Sequence, residues 1–180
     1  MAGHLVLVGL MGAGKTSVGE RCAHMLGRGF VDTDDLVEAT AHLSVAEIFD
    51  TLGEAQFRQL ERAAVADVAA SPEPLVIACG GGVVLDPDNR RALRNAGVVI
   101  WLQASPAELG ERVAHQEARD GAARPLLRDG AVGTLERLAL VRAPAYEAAA
   151  HEVVDTAGRS IDAVTDAVLA AYRALDAERA

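Results

Sequence analysis

Lysine is nearly absent from this 180-residue sequence: of 17 basic residues 16 are arginine, and the one lysine is Lys15. A coding preference for arginine accounts for the 16 but not for the position that escaped it. An ammonium is a compact point charge on a flexible stem, whereas a guanidinium is a planar fork. A site that accepts only the former would keep its lysine. Positive charge is in deficit overall. The 26 acidic residues leave a net charge of −9, which argues against the broad basic patch that nucleic acid requires. A small anionic ligand held by a local arginine cluster stays allowed. Cys22 and Cys79 are the only cysteines and lack C-x-x-C spacing, which predicts a reducing, cytoplasmic compartment. The five histidines are scattered singly, without metal-ligand spacing. No apolar run is long enough to span a membrane. Leu5–Met11 resembles a signal-peptide core but has no basic n-region and runs into Gly12, Gly14 and Lys15, so it reads as a strand.

What is present fits one domain over residues 1–180, with half of the residues apolar. Short apolar runs at Leu5–Val8, Phe30–Val31, Leu75–Cys79, Val98–Leu102 and Val153–Val154 alternate with helical patterns. These patterns are Lys15–Leu26, Val45–Leu52, Glu54–Ala69, Asp88–Asn95, Pro106–Gln116, Gly133–Ala150 and Ile161–Leu175. Such alternation predicts an α/β fold, a parallel sheet between layers of helices. Connections are short except at His115–Gly133, a polar stretch broken by Gly121, Pro125, Gly130 and Gly133 and read as a long loop, functional or disordered.

Gly9–Thr16 reads G-L-M-G-A-G-K-T and fits G-x-x-x-x-G-K-[ST] without deviation. Glycines let successive backbone N–H groups turn onto phosphate oxygens, and the helix that follows aims its positive end at the same anion. Lys15 reaches the β- and γ-phosphates, and the Thr16 hydroxyl is placed to ligate Mg²⁺. The lone lysine thus falls inside a phosphate cradle. A GTP-binding switch needs an N-K-x-D motif, which a chain without a second lysine cannot supply. A carboxylate for the magnesium shell must come from outside the third apolar run, since that run ends in Gly80-Gly81-Gly82.

Phe30-Val31-Asp32-Thr33-Asp34-Asp35 supplies one. At strand periodicity Asp32 and Asp34 point to one side, about 7 Å apart, beyond the carboxyl end of a strand where ligands of open α/β sheets bind. Asp32 is assigned to the magnesium shell, directly or through water. Asp34 is assigned to the acceptor hydroxyl, which it positions and whose proton it could take. The alternative is a cap on a helix beginning at Leu36, with Asp35 the better cap candidate. Farther on, Arg58 and Glu61 lie three apart on one helix face. The acid could fix the guanidinium for a carboxylate ligand, although spacing alone favours a solvated ion pair. Three glycines after a buried strand predict close approach of a ligand to the backbone.

In order along the chain, G-L-M-G-A-G-K-T, D-T-D at Asp32–Asp34, I-F-x-x-x-G-E-x-x-F-R-x-x-E at Ile48–Glu61, G-G-G at Gly80–Gly82, R-P-L-L at Arg124–Leu127 and R-A-P-x-Y at Arg142–Tyr146 closely resemble the shikimate kinases. The resemblance implies a P-loop NTPase fold of the nucleoside-monophosphate-kinase-like, three-layer kind, with a five-stranded parallel sheet. It implies a lid at about 113–132 and a shikimate-binding helical region at about 33–61. Shikimate would be bound by Asp34, Arg58, Gly81 and Arg142, with the two arginines on its carboxylate. ATP would be bound by Gly12, Ala13, Gly14, Lys15, Thr16, Ser17, Arg124 and Arg159. Lys15, Asp34 and the lid residue Arg124 would be catalytic, and Thr16 with Asp32 would serve Mg²⁺. The reaction implied is transfer of the ATP γ-phosphoryl group to the 3-hydroxyl of shikimate, a step toward chorismate and the aromatic amino acids, by a cytoplasmic monomer. Arg112 resembles an adenine-side arginine, but Val113–Ala123 is longer than the family's usual run before R-P-L-L. The competing readings are a kinase of gluconate or of a nucleoside monophosphate, and a catalytically silent ATP-binding module.

Overall fold

A computed structural model describes residues 3–120 and 131–179. Five strands form one fully parallel sheet: β1 (His4–Val8), β2 (Phe30–Asp32), β3 (Val76–Ala78), β4 (Gly97–Gln103) and β5 (Glu152–Asp155), in the order β2-β3-β1-β4-β5. β1 pairs with β3 and β4, with Leu5 opposite Val76 and Val98. The central strands are buried on both faces, as their unbroken Val, Ile and Leu content requires.

Helices α1 (Lys15–Leu26) and α8 (Ile161–Arg179) cover one face. On the other lie α4 (Gly53–Ala69), α5 (Pro87–Ala96) and α7 (Ala131–Ala149), while α6 (Pro106–Asp120) packs along α7. Two shorter helices, α2 (Thr33–Ala41) and α3 (Val45–Thr51), join the first turns of α4 through a core of their own built from Val37, Ile48, Phe57 and Ala64. Ser44 and Glu47 close a capping box at the start of α3, a device worth about 1 kcal/mol. This small second core ties α2 and α3 to α4, whose Val65 and Val68 join the main core. Among the described residues no helix is long and apolar enough to cross a membrane.

The five strands fall where the apolar runs place them, each within two residues. Two expectations are corrected. His115–Asp120, read as the start of a long loop, is the last part of α6; H-Q-E-A-R-D contains no helix breaker before Gly121. The helix after β2 begins at Thr33 rather than Leu36, and its cap is Asp32 rather than Asp34 or Asp35.

Candidate active site

The carboxyl ends of β1, β2 and β3 open into one cleft of about 650 Å³, floored by the first turn of α1 and walled by α2, α3 and α4. Its floor is the glycine-rich loop. Gly12 and Gly14 hold φ at +80° and +89°, the left-handed region that side-chain-bearing residues avoid. Gly14 caps α1 without any side-chain bond, and no acid sits in the first turn. The helix amides and the positive end of the dipole therefore face the cleft with no acid of their own first turn against them. Lys15 folds back over this nest, its Nζ donating to the Leu10 carbonyl at 3.1 Å.

Beside the nest the Thr16 hydroxyl donates to Asp32 Oδ2 at 3.1 Å. Asp32 Oδ1 accepts from the Asp34 backbone N–H at 3.0 Å, which caps α2. Asp34 therefore stands in the first turn of a helix, and the same-side placement expected from strand periodicity does not apply. Both carboxylates line the cleft all the same. The donor set suits a magnesium ion: one hydroxyl and one carboxylate, both hard oxygens, next to a phosphate cradle. Among the described residues no group of three or more His, Cys, Asp or Glu side chains could hold a metal by itself.

Asp34 is the most perturbed acid of the cleft. Burial, followed by the neighbouring Asp32 charge, pushes it up to about 6 against the pull of Lys15, with Glu61 and Glu38 adding to the rise. Its Oδ1 is buried without a hydrogen-bond partner. A buried orphan acceptor is costly; this one is packed against Gly80, while the residue itself lines the cleft.

Across the cleft Arg58 Nη1 donates to Glu61 Oε2 at 2.8 Å, and Arg58 Nη2 reaches Glu54 at 3.3 Å. Glu61 is 1% exposed, so this is not the solvated pair that spacing favoured. Burial lowers the basicity of Arg58, but its bonds to Glu61 and Glu54 outweigh that and raise it overall. The triglycine turn lies between the two sides. A Cβ on Gly80 would collide with the Asp34 carboxylate, and one on Gly82 with the Arg58 guanidinium. The glycines thus make room for the protein's own functional side chains, which local sequence could not reveal. Thr33, fully buried, accepts the Gly80 N–H at 2.9 Å. Arg142 and Tyr146 both donate to the Gly81 carbonyl, at 2.8 and 2.7 Å.

Of the arginines that the resemblance places on the adenine side, Arg112 lines the cleft. It donates to Thr156 Oγ1 at 2.9 Å and to the Thr156 carbonyl at 2.8 Å, tying α6 to the loop after β5. Arg159 is exposed, with its guanidinium on the carbonyls of Asp155 and Ala163, and is not among the residues lining the cleft. Arg124 lies outside the described residues. The structure thus gathers Gly12, Gly14, Lys15, Thr16, Ser17, Asp32, Asp34, Arg58, Gly81 and Arg142 around one space. Ala13 is buried beneath the loop. Thr33, Tyr146 and Thr156 were given no role from sequence. The i,i+4 spacing of Arg142 and Tyr146 was the available signal for Tyr146.

A family model for shikimate kinase matches residues 11–173. Shikimate kinases of Symbiobacterium thermophilum and Dechloromonas aromatica are 48% and 44% identical to the chain; the alignments cover 92% and 84% of it, and 94% and 80% of the relatives. Among solved structures, shikimate kinase from Acinetobacter baumannii in complex with shikimate superposes with a TM-score of 0.86 at 30% identity, covering 94% of this chain and 92% of that one. A gluconokinase from Sinorhizobium meliloti, at 22% identity and a TM-score of 0.66 over 98% and 94% of the two chains, shares the fold.

Proposed function

Because this chain belongs to the shikimate kinase family and is an ATP-dependent kinase of shikimate, we propose that Asp34, Arg58, Gly81 and Arg142 bind the acid and that Lys15 and the loop amides bind the triphosphate. The observation that carries this reading is the Asp34 carboxyl, pushed up to about 6 by burial and by Asp32, in the cleft that also holds the glycine-rich loop and Arg58. The amides of Gly12–Ser17 cradle the phosphates, and Lys15 neutralises charge on the phosphoryl group as it moves. Asp34 accepts a hydrogen bond from the 3-hydroxyl, orients it for in-line attack and takes its proton as the new O–P bond forms. Arg58, braced by Glu61, holds the carboxylate at the far end of the ring. Thr16 and Asp32 would hold the magnesium ion, which when bound screens the phosphate charges and orients them. Arg124 is assigned to the phosphates and Arg159 to the adenine border by family resemblance.

The deciding experiment is a coupled ADP-release assay with shikimate, gluconate and a nucleoside monophosphate, each with and without magnesium. Shikimate alone should release ADP, and only with the metal. Turnover of gluconate or a nucleotide without turnover of shikimate would overturn the reading.

Two variants test the carboxylate side. Arg58→Ala removes a charge-assisted contact worth roughly 1.5–3 kcal/mol. The KM for shikimate should rise about 10–100-fold, with the KM for ATP little changed. Equal losses for both substrates would count against the clamp. Gly82→Ala places a methyl group against the Arg58 guanidinium and should reproduce part of that effect, about tenfold in shikimate KM. Unchanged kinetics in Gly82→Ala would mean that Arg58 does not need its present position.

A further inference from the structure

Resting on the assignment of Gly81 and Arg142 to the substrate carboxylate, we infer that Tyr146 is a positioning residue for shikimate binding, acting through its hydroxyl on the Gly81 carbonyl. The inference starts from a crowded acceptor. Gly81 presents one carbonyl oxygen, and two donors from the same face of α7 converge on it: Arg142 Nη1 at 2.8 Å and Tyr146 Oη at 2.7 Å. The two residues are four apart and so stand one above the other on the helix. Both are buried, Arg142 7% exposed and Tyr146 1%.

The carbonyl they grip is held by side chains of α7. A peptide unit is planar, so fixing the Gly81 oxygen also fixes the N–H of Gly82 on its opposite side. The Cys79–Gly80 peptide, two units earlier, is held separately, by the Thr33 hydroxyl on the Gly80 N–H. The triglycine turn therefore has no side chains of its own to set its shape and is held from both flanks by those of α2 and α7. A Cβ on Gly81 would meet Arg142 Nη1 at 3.4 Å, the Gly9 carbonyl at 3.6 Å and Tyr146 Oη at 3.8 Å, ordinary contact distances, so the hydrogen bonds rather than crowding set the turn.

Tyr146 matters to Arg142 as well. A carbonyl has two lone pairs, and with both donors in place each takes one. Without the phenol, the carbonyl keeps only the arginine and the turn is free to swing toward it, so Arg142 loses the orientation in which its remaining donors face the cleft. Burial pushes the phenol well above its usual range, and Arg142 opposes this only in part. The hydroxyl therefore stays a donor at every pH the enzyme meets. The ring is held independently, stacked on Trp101 with centroids 5.3 Å apart and planes 19° from parallel. The hydroxyl can be deleted while the packing survives, which makes the inference testable.

The test is Tyr146→Phe, which keeps the stack and removes one oxygen. The KM for shikimate should rise about five- to twentyfold, while kcat and the KM for ATP stay within about twofold. Trp101 is the only tryptophan, so its emission supplies a second readout. Titration with shikimate in the absence of nucleotide should perturb it in the wild type, and should show affinity weakened by the same factor in Tyr146→Phe. An unchanged shikimate KM would overturn the inference. So would a uniform fall in kcat with a rise in both KM values, the pattern of a merely structural residue. Wild-type enzyme that releases no ADP with shikimate would remove the assignment on which the inference rests, a failure visible without any variant.

Discussion

Lys15→Met should lower turnover at least ~10³-fold while the variant folds and melts much as the wild type does. The size follows from what the ammonium is asked to do. Phosphoryl transfer leaves little covalent work for the protein, so catalysis is mostly positioning and charge stabilisation in a site with little water. Lys15 is the only lysine of the chain, and its Nζ is already bent over the loop against the Leu10 carbonyl. No second ammonium can take its place. Folding should be spared because Lys15 caps no helix and lies outside both hydrophobic cores. Lys15→Arg is the sharper companion, since it keeps the charge. A planar fork cannot occupy the space of a point charge inside a loop of turned amides, so this variant should remain within about tenfold of Lys15→Met. ADP release and thermal melting check both. Near-normal turnover in either variant would remove Lys15 from the cradle.

The sheet was legible because its strands are short, continuous and β-branched, a pattern with no competing explanation inside an α/β alternation. α2 was the exception. D-T-D looks like the continuation of a strand because Asp and Thr carry no strong helix signal, yet the Asp32 carboxylate accepts the Asp34 N–H and turns the chain into a helix at once. A cap is a three-residue event, and periodicity needs a longer window to register.

The cleft was legible residue by residue wherever function leaves a local motif, as in the glycine-rich loop. It was not legible where the partner is remote in sequence. The triglycine turn could be recognised as a place of close approach, but not that the groups approaching it are Asp34 and Arg58. Tyr146 and Gly81 are 65 residues apart, and no spacing rule joins them. Glu61 illustrates the energetic side of the same gap: at three residues from Arg58 it looks like an exposed pair worth a few tenths of a kcal/mol. Its burial makes the pair a fixed support with one oxygen still unpaired.

Asp34→Asn should lose roughly 10²–10⁴ in turnover, the usual worth of a positioned acid–base group, and at the same time gain stability. Both effects come from one property. The Asp34 carboxyl is held at about 6, against an ordinary value of 3.8, chiefly by burial and then by Asp32. Between those two values the folded chain holds a proton that the unfolded chain has released. Stability therefore falls as pH rises across this window, and the full cost of burying the anion is borne above about 6. At pH 7–8 the neutral amide should stabilise the fold by on the order of 1–2 kcal/mol, part of the roughly 3 kcal/mol that the shift represents. For a chain of this size that is a rise in Tm of about 3–6 °C. The gain should shrink as pH falls through 6 and be gone near pH 4. Activity runs the other way. Wild-type kcat/KM should climb with pH along a limb centred near 6 as Asp34 ionises in the free enzyme, and Asp34→Asn should lack that limb. Melting curves at pH 5 and pH 8, with the pH profile of ADP release, separate the outcomes. A variant that keeps turnover, or that melts lower than wild type at pH 8, would mean that Asp34 is neither the proton acceptor nor a strained buried anion.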